Sequence, residues 1–476
     1  MTFLDRKKFI YICIASLMLI GVVLLQSQSI AEMDQPLEQS KAAQSPVKIA
    51  LIDSPAQAVT DKSGTDLSTQ SLSGIRLNAN DLLKLRDRLE ERITADSEDY
   101  EARLLDGIVR FQLGETDTAI NELTQLSQQA PHFHLAHLVR ADFMASRFEV
   151  TTDIGSNGIL SQAEESPKKL QEQLSALRQE VRLRILANIE PESSNKIPLQ
   201  LLDLSKNIRT ALVVDKSLHR IYVFQRESVD SPARLVHDFY VSTGRKQGNK
   251  KTEGDLRTPE GVYFITSWIP DNELPEKYGI GAFPTNYPNA LDRKLGKTGD
   301  GIWLHGTDRL FYSRPPLDSE GCVVLSNLDL GKIRHLITPG QTPMIITDRI
   351  QWVDEQQWEN VRTQVLSSIE QWRKDWESLD VDRYLSHYAA NFWSGRYNLN
   401  KWRQYKSRIA RQKTYQKIAL SDMSLFYYPQ RASAGKPMVV ASFVQNYQSN
   451  NYQGEVRKRL YLGKEADGWR ILYEGR

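Results

Sequence analysis

The rhythm of hydrophobic and polar positions changes several times along the chain. Phe9 to Leu25 is an unbroken run of 17 residues with no charge, preceded by Arg6, Lys7 and Lys8. A basic start followed by such a run predicts a signal peptide or membrane anchor over residues 1–26, with Ser29-Ile30-Ala31 as a weak cleavage site. Residues 27–77 are rich in Ser, Gln, Ala and Asp and poor in aromatics, the composition of a flexible linker. Over residues 78–190 the spacing becomes helical, as at Leu82, Leu85 and Leu89. Residues 201–349 read as short strands punctuated by Gly and Pro. Ala211–Val214 and Leu218–Phe224 flank an Asp215-Lys216-Ser217 turn, and Phe239–Val241, Gly261–Ile265, Gly301–Leu304 and Pro343–Thr347 add further strands. Over residues 352–476 an amphipathic stretch through Ile369, Trp372, Trp376, Tyr384 and Tyr388 gives way to strands at Met438–Tyr447, Arg457–Leu462 and Trp469–Tyr473.

Two of these regions resemble known architectures. Tyr100-x-Ala102-x-x-Leu105-x-Gly107 recurs 34 residues later as His134-x-Ala136-x-x-Val139-x-Ala141, which looks like a tetratricopeptide repeat. A plain helical hairpin is the alternative; under either reading the region is expected to bind or position something, a protein partner among the candidates, and to catalyse nothing. Helices followed by a curved sheet in the last region are similar to the nuclear-transport-factor-2-like cone, in an accessory role. The fold class is therefore multidomain: an N-terminal α-helical, tetratricopeptide-like region, a central mostly-β domain, and a C-terminal α+β cone.

Length and charge fit this division. At 476 residues, 40% hydrophobic and 25% charged, the chain needs about three cores. A net charge of +2 gives no reason to expect a nucleic-acid partner. His132, His134 and His137 lie close together, but with no Cys and no evident carboxylate they read as helix-surface residues. No metal and no cofactor are expected.

Cysteine usage points to chemistry. Of two cysteines, Cys13 lies in the export segment, so Cys322 is alone in the exported part and has no intrachain partner there. A leftover thiol in an oxidising compartment suggests intermolecular pairing or a reactive nucleophile. A nucleophilic Cys needs a base, because the thiolate is the attacking species. Gly301-Ile-Trp-Leu-His305-Gly306 reads as a buried strand ending at such a base. Ser319-Glu320-Gly321-Cys322 then follows, with Gly321 permitting a tight turn and a close approach of substrate. Backbone N–H groups around Gly321 and Cys322 are placed to stabilise an oxyanion, with Ser319 either lining that site or shaping the loop.

His305-Gly306 followed at this distance by Ser319-x-Gly321-Cys322 resembles the signature of YkuD-type L,D-transpeptidases, over roughly Ile208 to Asp348. Ser242-Thr243-Gly244, Arg257-Thr-Pro-x-Gly261 and Gly281–Asn289 look like further motifs of that family. The whole arrangement is similar to cell-shape L,D-carboxypeptidases with a nuclear-transport-factor-2-like domain. The resemblance implies a periplasmic or envelope enzyme acting on peptidoglycan stem peptides, with Cys322 as nucleophile, His305 as base, and a main-chain carbonyl orienting the imidazole. It implies a thioester with a stem tetrapeptide after loss of D-Ala, resolved by an amine in a transpeptidase or by water in a carboxypeptidase. A non-catalytic envelope scaffold is the reading from another class. Gly306, Arg257, Arg309, Asn286 and Tyr287 are the candidate substrate-binding residues. One departure stands out: many family members carry Arg two residues after the Cys, and here that position is Val324. Arg257, Arg293, Lys297 or Arg309 would have to supply the missing charge.

Overall fold

Residues 77–147, 167–189, 196–228, 233–429 and 435–475 are described by the computed structural model. The apolar segment Phe9–Leu25, with Cys13, and the linker up to residue 76 lie outside them. Among the described residues no helix is long and apolar enough to cross a membrane.

The helical region comprises α1 (Ala79–Ala95), α2 (Tyr100–Gln112), α3 (Thr116–Gln129), α4 (His134–Ala145) and α5 (Pro167–Ile189). Asn78 and Asp99 start the first two helices by accepting the N–H groups of Asp81 and Ala102, which would otherwise lack partners. Leu82, Leu85 and Leu89 point inward at helical spacing. The repeat positions Ala102 and Ala136, and Leu105 and Val139, are all fully buried. Helix α5, which the repeat motif does not include, joins the same core through Val181 and Ile185.

In the central domain Thr210–Asp215 is the middle of a five-stranded sheet, between Arg220–Gln225 (antiparallel) and Pro343–Thr347 (parallel). Every residue of Thr210–Asp215 is buried, as expected of a strand covered on both faces. Leu212 and Val214 face a core shared with Leu304 and Val323 of a second, four-stranded sheet. That sheet runs Val323–Val324, Trp303–His305, Gly281–Pro284, Ile269–Pro270. The alternate residues Ala211 and Val213 instead pack with Phe426, Val440 and Tyr461 of the C-terminal domain. Period-two alternation thus gives one strand two cores, and the central domain is pinned between its own second sheet and the C-terminal one.

The C-terminal domain folds Glu355–Glu377 onto a seven-stranded sheet, with Trp372 and Phe443 buried between. Leu201–Asp203 pairs with Gln416–Tyr427 and so extends this sheet, and Ile197–Pro198 pairs with Trp352–Val353. The start of the strand-rich region therefore belongs structurally to the C-terminal sheet.

Candidate active site

Trp303–His305 and Val323–Val324 run side by side in parallel, with His305 opposite Val324 and Leu304 opposite Val323. This register carries Cys322 to a position across from Trp303, two residues along from His305. Cys322 itself precedes the paired stretch, and its sulfur meets the backbone of Gly301 and Trp303, just ahead of His305 on the neighbouring strand.

His305 is 4% exposed. Its Nδ1 lies 2.5 Å from the Gly306 carbonyl oxygen. A carbonyl can only accept, so Nδ1 carries the hydrogen and Nε2 is the basic nitrogen. Burial pushes the imidazole down to about 3, and it is neutral at physiological pH. Tyr278 stands edge-on to the ring at 4.8 Å and lies 5.1 Å from Trp303.

Cys322 is half-buried and has no disulfide partner. Its thiol donates to the Gly301 carbonyl at 3.4 Å. Burial pushes the thiol above its ordinary value, opposed by the Trp303 backbone N–H and by Lys277 and Arg314. Among the described residues no hydrogen bond joins the sulfur to the imidazole. The resting pair is neutral thiol and neutral imidazole, and the thiol must turn from Gly301 toward Nε2 before it loses its proton.

The turn before the sulfur is tightly built. Gly321 has φ +130°, and a Cβ there would sit 2.8 Å from the Arg257 carbonyl oxygen. Ser319 donates to the Cys322 carbonyl at 2.7 Å and accepts the Gly321 N–H at 3.1 Å. Ser319 therefore braces the loop, and the Gly321 N–H is occupied in the resting structure. Gly321→Ala should cost about 1–3 kcal/mol through strain at this φ. Urea unfolding reads that cost; an unchanged midpoint would mean that the turn relaxes freely.

The remaining sequence candidates separate into two groups. Arg257 presses its backbone on Gly321, and its guanidinium has no ion pair or hydrogen bond among the described residues. Arg309 pairs with Asp271 at 2.6 Å on the surface, Arg293 donates to the Pro288 carbonyl, and Lys297 pairs with the buried Asp292 at 2.8 Å. Asn286 accepts the Phe264 N–H at 2.9 Å, and Tyr287 is 5% exposed with its hydroxyl on the Thr298 carbonyl at 3.2 Å. Gly306 has Asn327 Oδ1 2.2 Å from where a Cβ would be, so it admits a close packing contact. Among these, only Arg257 combines proximity to the Cys322 turn with an unengaged charge.

The sequence reading missed Tyr278, Lys277 and Arg314. Lys277 and Arg314 are the two cations that act on both His305 and Cys322. Neither sits in a recognisable motif; they come from a 3-10 turn, Glu276–Tyr278, and from a loop well separated from it in sequence. The C-terminal cone holds a second surprise, a buried acid–base cluster. Glu474 accepts from Lys458 and, at 2.6 Å, from the Tyr388 hydroxyl. Burial raises this carboxyl, but Lys458 and Lys406 together pull it down to about 2. Lys406 lies 4.4 and 4.7 Å from the Trp376 and Trp402 rings, and burial lowers it to about 8.

Of the three clustered histidines, His137 bonds the Pro131 carbonyl at 3.1 Å and His134 stands edge-on to Phe311 at 5.4 Å. Among the described residues no group of three His, Cys, Asp or Glu side chains is arranged to hold a metal.

The central domain thus sets a Cys and a His beside each other at the ends of neighbouring strands of its second sheet. Residues 209–346 match the YkuD L,D-transpeptidase catalytic domain, and residues 364–475 match the Cds6 C-terminal NTF2-like domain. The chain carries both domains. Among solved structures it is similar to Bd1075 of Bdellovibrio bacteriovorus, with 28% identity and a TM-score of 0.51 over 59% of this chain and 97% of that one. It is also similar to the helical cell shape determining protein Pgp2 of Campylobacter jejuni, with 27% identity and a TM-score of 0.51 over 60% of this chain and 97% of that one. No curated protein matches the chain.

Proposed function

We propose that the protein is a peptidoglycan L,D-carboxypeptidase of the cell envelope, which trims stem tetrapeptides to tripeptides through a Cys322 thioester. The observation that carries this is the Nδ1-anchored His305 on the strand whose residues Gly301 and Trp303 the half-buried Cys322 sulfur meets. Nε2 of His305 takes the thiol proton as Sγ attacks the carbonyl carbon at the L-centre of the diaminopimelate residue. The tetrahedral intermediate collapses when His305 returns that proton to the leaving nitrogen, and D-Ala departs. Water then attacks the thioester, giving up a proton to His305. Breaking the C–S bond releases the tripeptide acid, which gives its remaining proton to solvent, and the sulfur recovers its proton from the imidazole.

Two observations favour water over a second stem as acceptor. One of the solved relatives, covered over nearly its whole length, is a helical cell shape determining protein, and the catalytic and NTF2-like domains matched in this chain are arranged in a way that resembles cell-shape carboxypeptidases. In addition, Val324 faces the His305 side and is 3% exposed, so no cation stands there to hold an acceptor carboxylate. Among the basic residues proposed from the sequence, Arg257 is the one left to receive a carboxylate of the donor stem. Transpeptidation is the second reading, supported by the match to the L,D-transpeptidase domain itself.

Incubating the protein with purified disaccharide-tetrapeptide, followed by mass spectrometry, tests this. Loss of D-Ala as monomeric tripeptide is the expected product. Cross-linked dimer would transfer the assignment to a transpeptidase, and no product at all would remove the enzyme.

A further inference from the structure

The helical region lies outside both matched domains. It nevertheless reaches the active site. Residues 306–316, which lead from His305 toward Cys322, contain no helix or strand. Midway along them, Tyr312 seats its ring against the helical region, 4.4 Å from Phe133 and 5.6 Å from Tyr100. Its backbone N–H donates to the His132 carbonyl at 2.9 Å. The next residue, Ser313, donates to Glu180 of α5 at 2.8 Å. A third tie is indirect. Arg184 of α5 lies 3.9 Å over the Tyr240 ring, and the Tyr240 hydroxyl donates to the Arg314 carbonyl at 3.0 Å.

These ties converge on Arg314. Its guanidinium is held on Asp318 by bonds of 2.7 Å, and it is one of the two cations felt by both His305 and Cys322. Of those two cations Arg314 is the one carried by this loop, so its effect on the sulfur changes when the loop drifts. A loop of this length does not fix itself; without packed anchors it samples many conformations.

We infer that the helical region is a working part of the active site: by clasping Tyr312 and Ser313 it fixes the loop between His305 and Cys322, and Tyr312 is a positioning residue for the reaction. This rests on the acyl-transfer reading of Cys322. It gives the helices a role that a simple spacer would not have. Misplacing a catalytic group by about 1 Å costs up to about a hundredfold in rate, and a cation that steadies the thiolate shifts the pH at which the sulfur reacts.

The test uses full-length chains and two readouts, tetrapeptide trimming and the rate at which iodoacetamide labels Cys322, followed by peptide mass spectrometry. Labelling needs no peptidoglycan substrate. Tyr312→Ala should slow trimming roughly 10- to 100-fold and move the pH midpoint of labelling upward, whereas Tyr312→Phe, which keeps the ring, should behave as wild type. Tyr100→Ala trims the same contact from the helical side and should act in the same direction, which covers the event that Tyr312→Ala does not fold. If a folded Tyr312→Ala or Tyr100→Ala chain trims and labels as wild type does, the inference is wrong. If the wild-type chain labels at Cys322 yet trims nothing, the proposed activity fails, while the labelling comparison still decides whether the helices hold the loop.

Discussion

Exchanging His305 for Gln should lower kcat by about 10²–10⁴-fold, the usual contribution of a positioned acid–base group, and Cys322→Ala should leave no trimming at all. Both chains should keep the wild-type unfolding midpoint to within a small margin, because neither change opens a large cavity. The His305 effect has a pH signature. Burial holds the imidazole at about 3 in place of its ordinary 6.5. The base is therefore unprotonated throughout the physiological range, and kcat/KM should stay level as pH falls from about 7 to about 5. An ordinary histidine would halve the rate near its own pKa within that window. An acid limb centred near the ordinary value would show that water reaches the imidazole and that Gly306 does not hold a buried neutral ring. The thiol gives the complementary signal. With burial raising it above the usual thiol value, simple alkylation of Cys322 should be slow at neutral pH and accelerate only on the alkaline side. A nucleophile of this kind depends on its base at the moment of attack rather than on a standing thiolate, and for that reason His305→Gln should depress turnover far more than it depresses alkylation at high pH.

The parts of the molecule with local signals were legible in the sequence. The hairpin around Asp215-Lys216-Ser217 forms as Thr210–Asp215 against Arg220–Gln225, because apolar runs flank a short polar turn. The Cys–His pair was legible because glycines mark it: Gly321 occupies a φ that other residues avoid, and Gly306 admits Asn327. What the sequence concealed is long-range or irregular. Strand Gln416–Tyr427 escaped notice because its register shifts between Ser421 and Ser424, and Ser421-Asp422-Met423-Ser424 interrupts the alternation that announces a strand. Leu201–Asp203 joins a partner more than two hundred residues away, and its own three residues say nothing of it. Arg257, Arg309, Arg293 and Lys297 looked equivalent as charges; only the fold shows that the last three are committed elsewhere. Glu474, Lys458 and Lys406 form an acid–base cluster because the C-terminal sheet and a helix enclose them together. None of the three stands near another in sequence.

Glu101→Gln should be the most damaging substitution outside the active site. The Glu101 carboxylate is buried on α2, where it accepts from Arg220 at 2.7 and 2.9 Å and from Arg184 at 2.8 Å. Arg220 comes from the central sheet and is fully buried; Arg184 comes from α5. One carboxylate thus bridges two guanidinium groups from different regions. Each keeps a second carboxylate, Asp238 at 2.6 Å for Arg220 and Glu180 at 2.8 Å for Arg184. Removing the Glu101 charge still unties the bridge between them and leaves the buried cluster short of one negative charge. Leaving a buried charge wholly uncompensated costs about 3–5 kcal/mol, and the remaining carboxylates place the cost of this substitution toward the lower end of that range. The sign can be checked with pH. Burial alone would raise the Glu101 carboxyl, but Arg220, Arg184 and Arg92 outweigh it and bring it down to about 2 from an ordinary 4.5. A depressed carboxyl contributes its stability above the unfolded value and loses it as pH falls toward the folded one. The gap in unfolding free energy between wild type and Glu101→Gln should therefore be full at neutral pH and close progressively below about pH 4.5. Comparing the two chains isolates this carboxyl from Glu180 and Asp238, which burial moves the opposite way. Urea titrations at several pH values measure it, and a gap that does not narrow on acidification would mean that the two arginines are balanced by other groups. Because this cluster joins the helices to the central sheet, the same substitution should also loosen the clasp on Tyr312, so trimming should decline at urea concentrations that leave the central and C-terminal sheets folded.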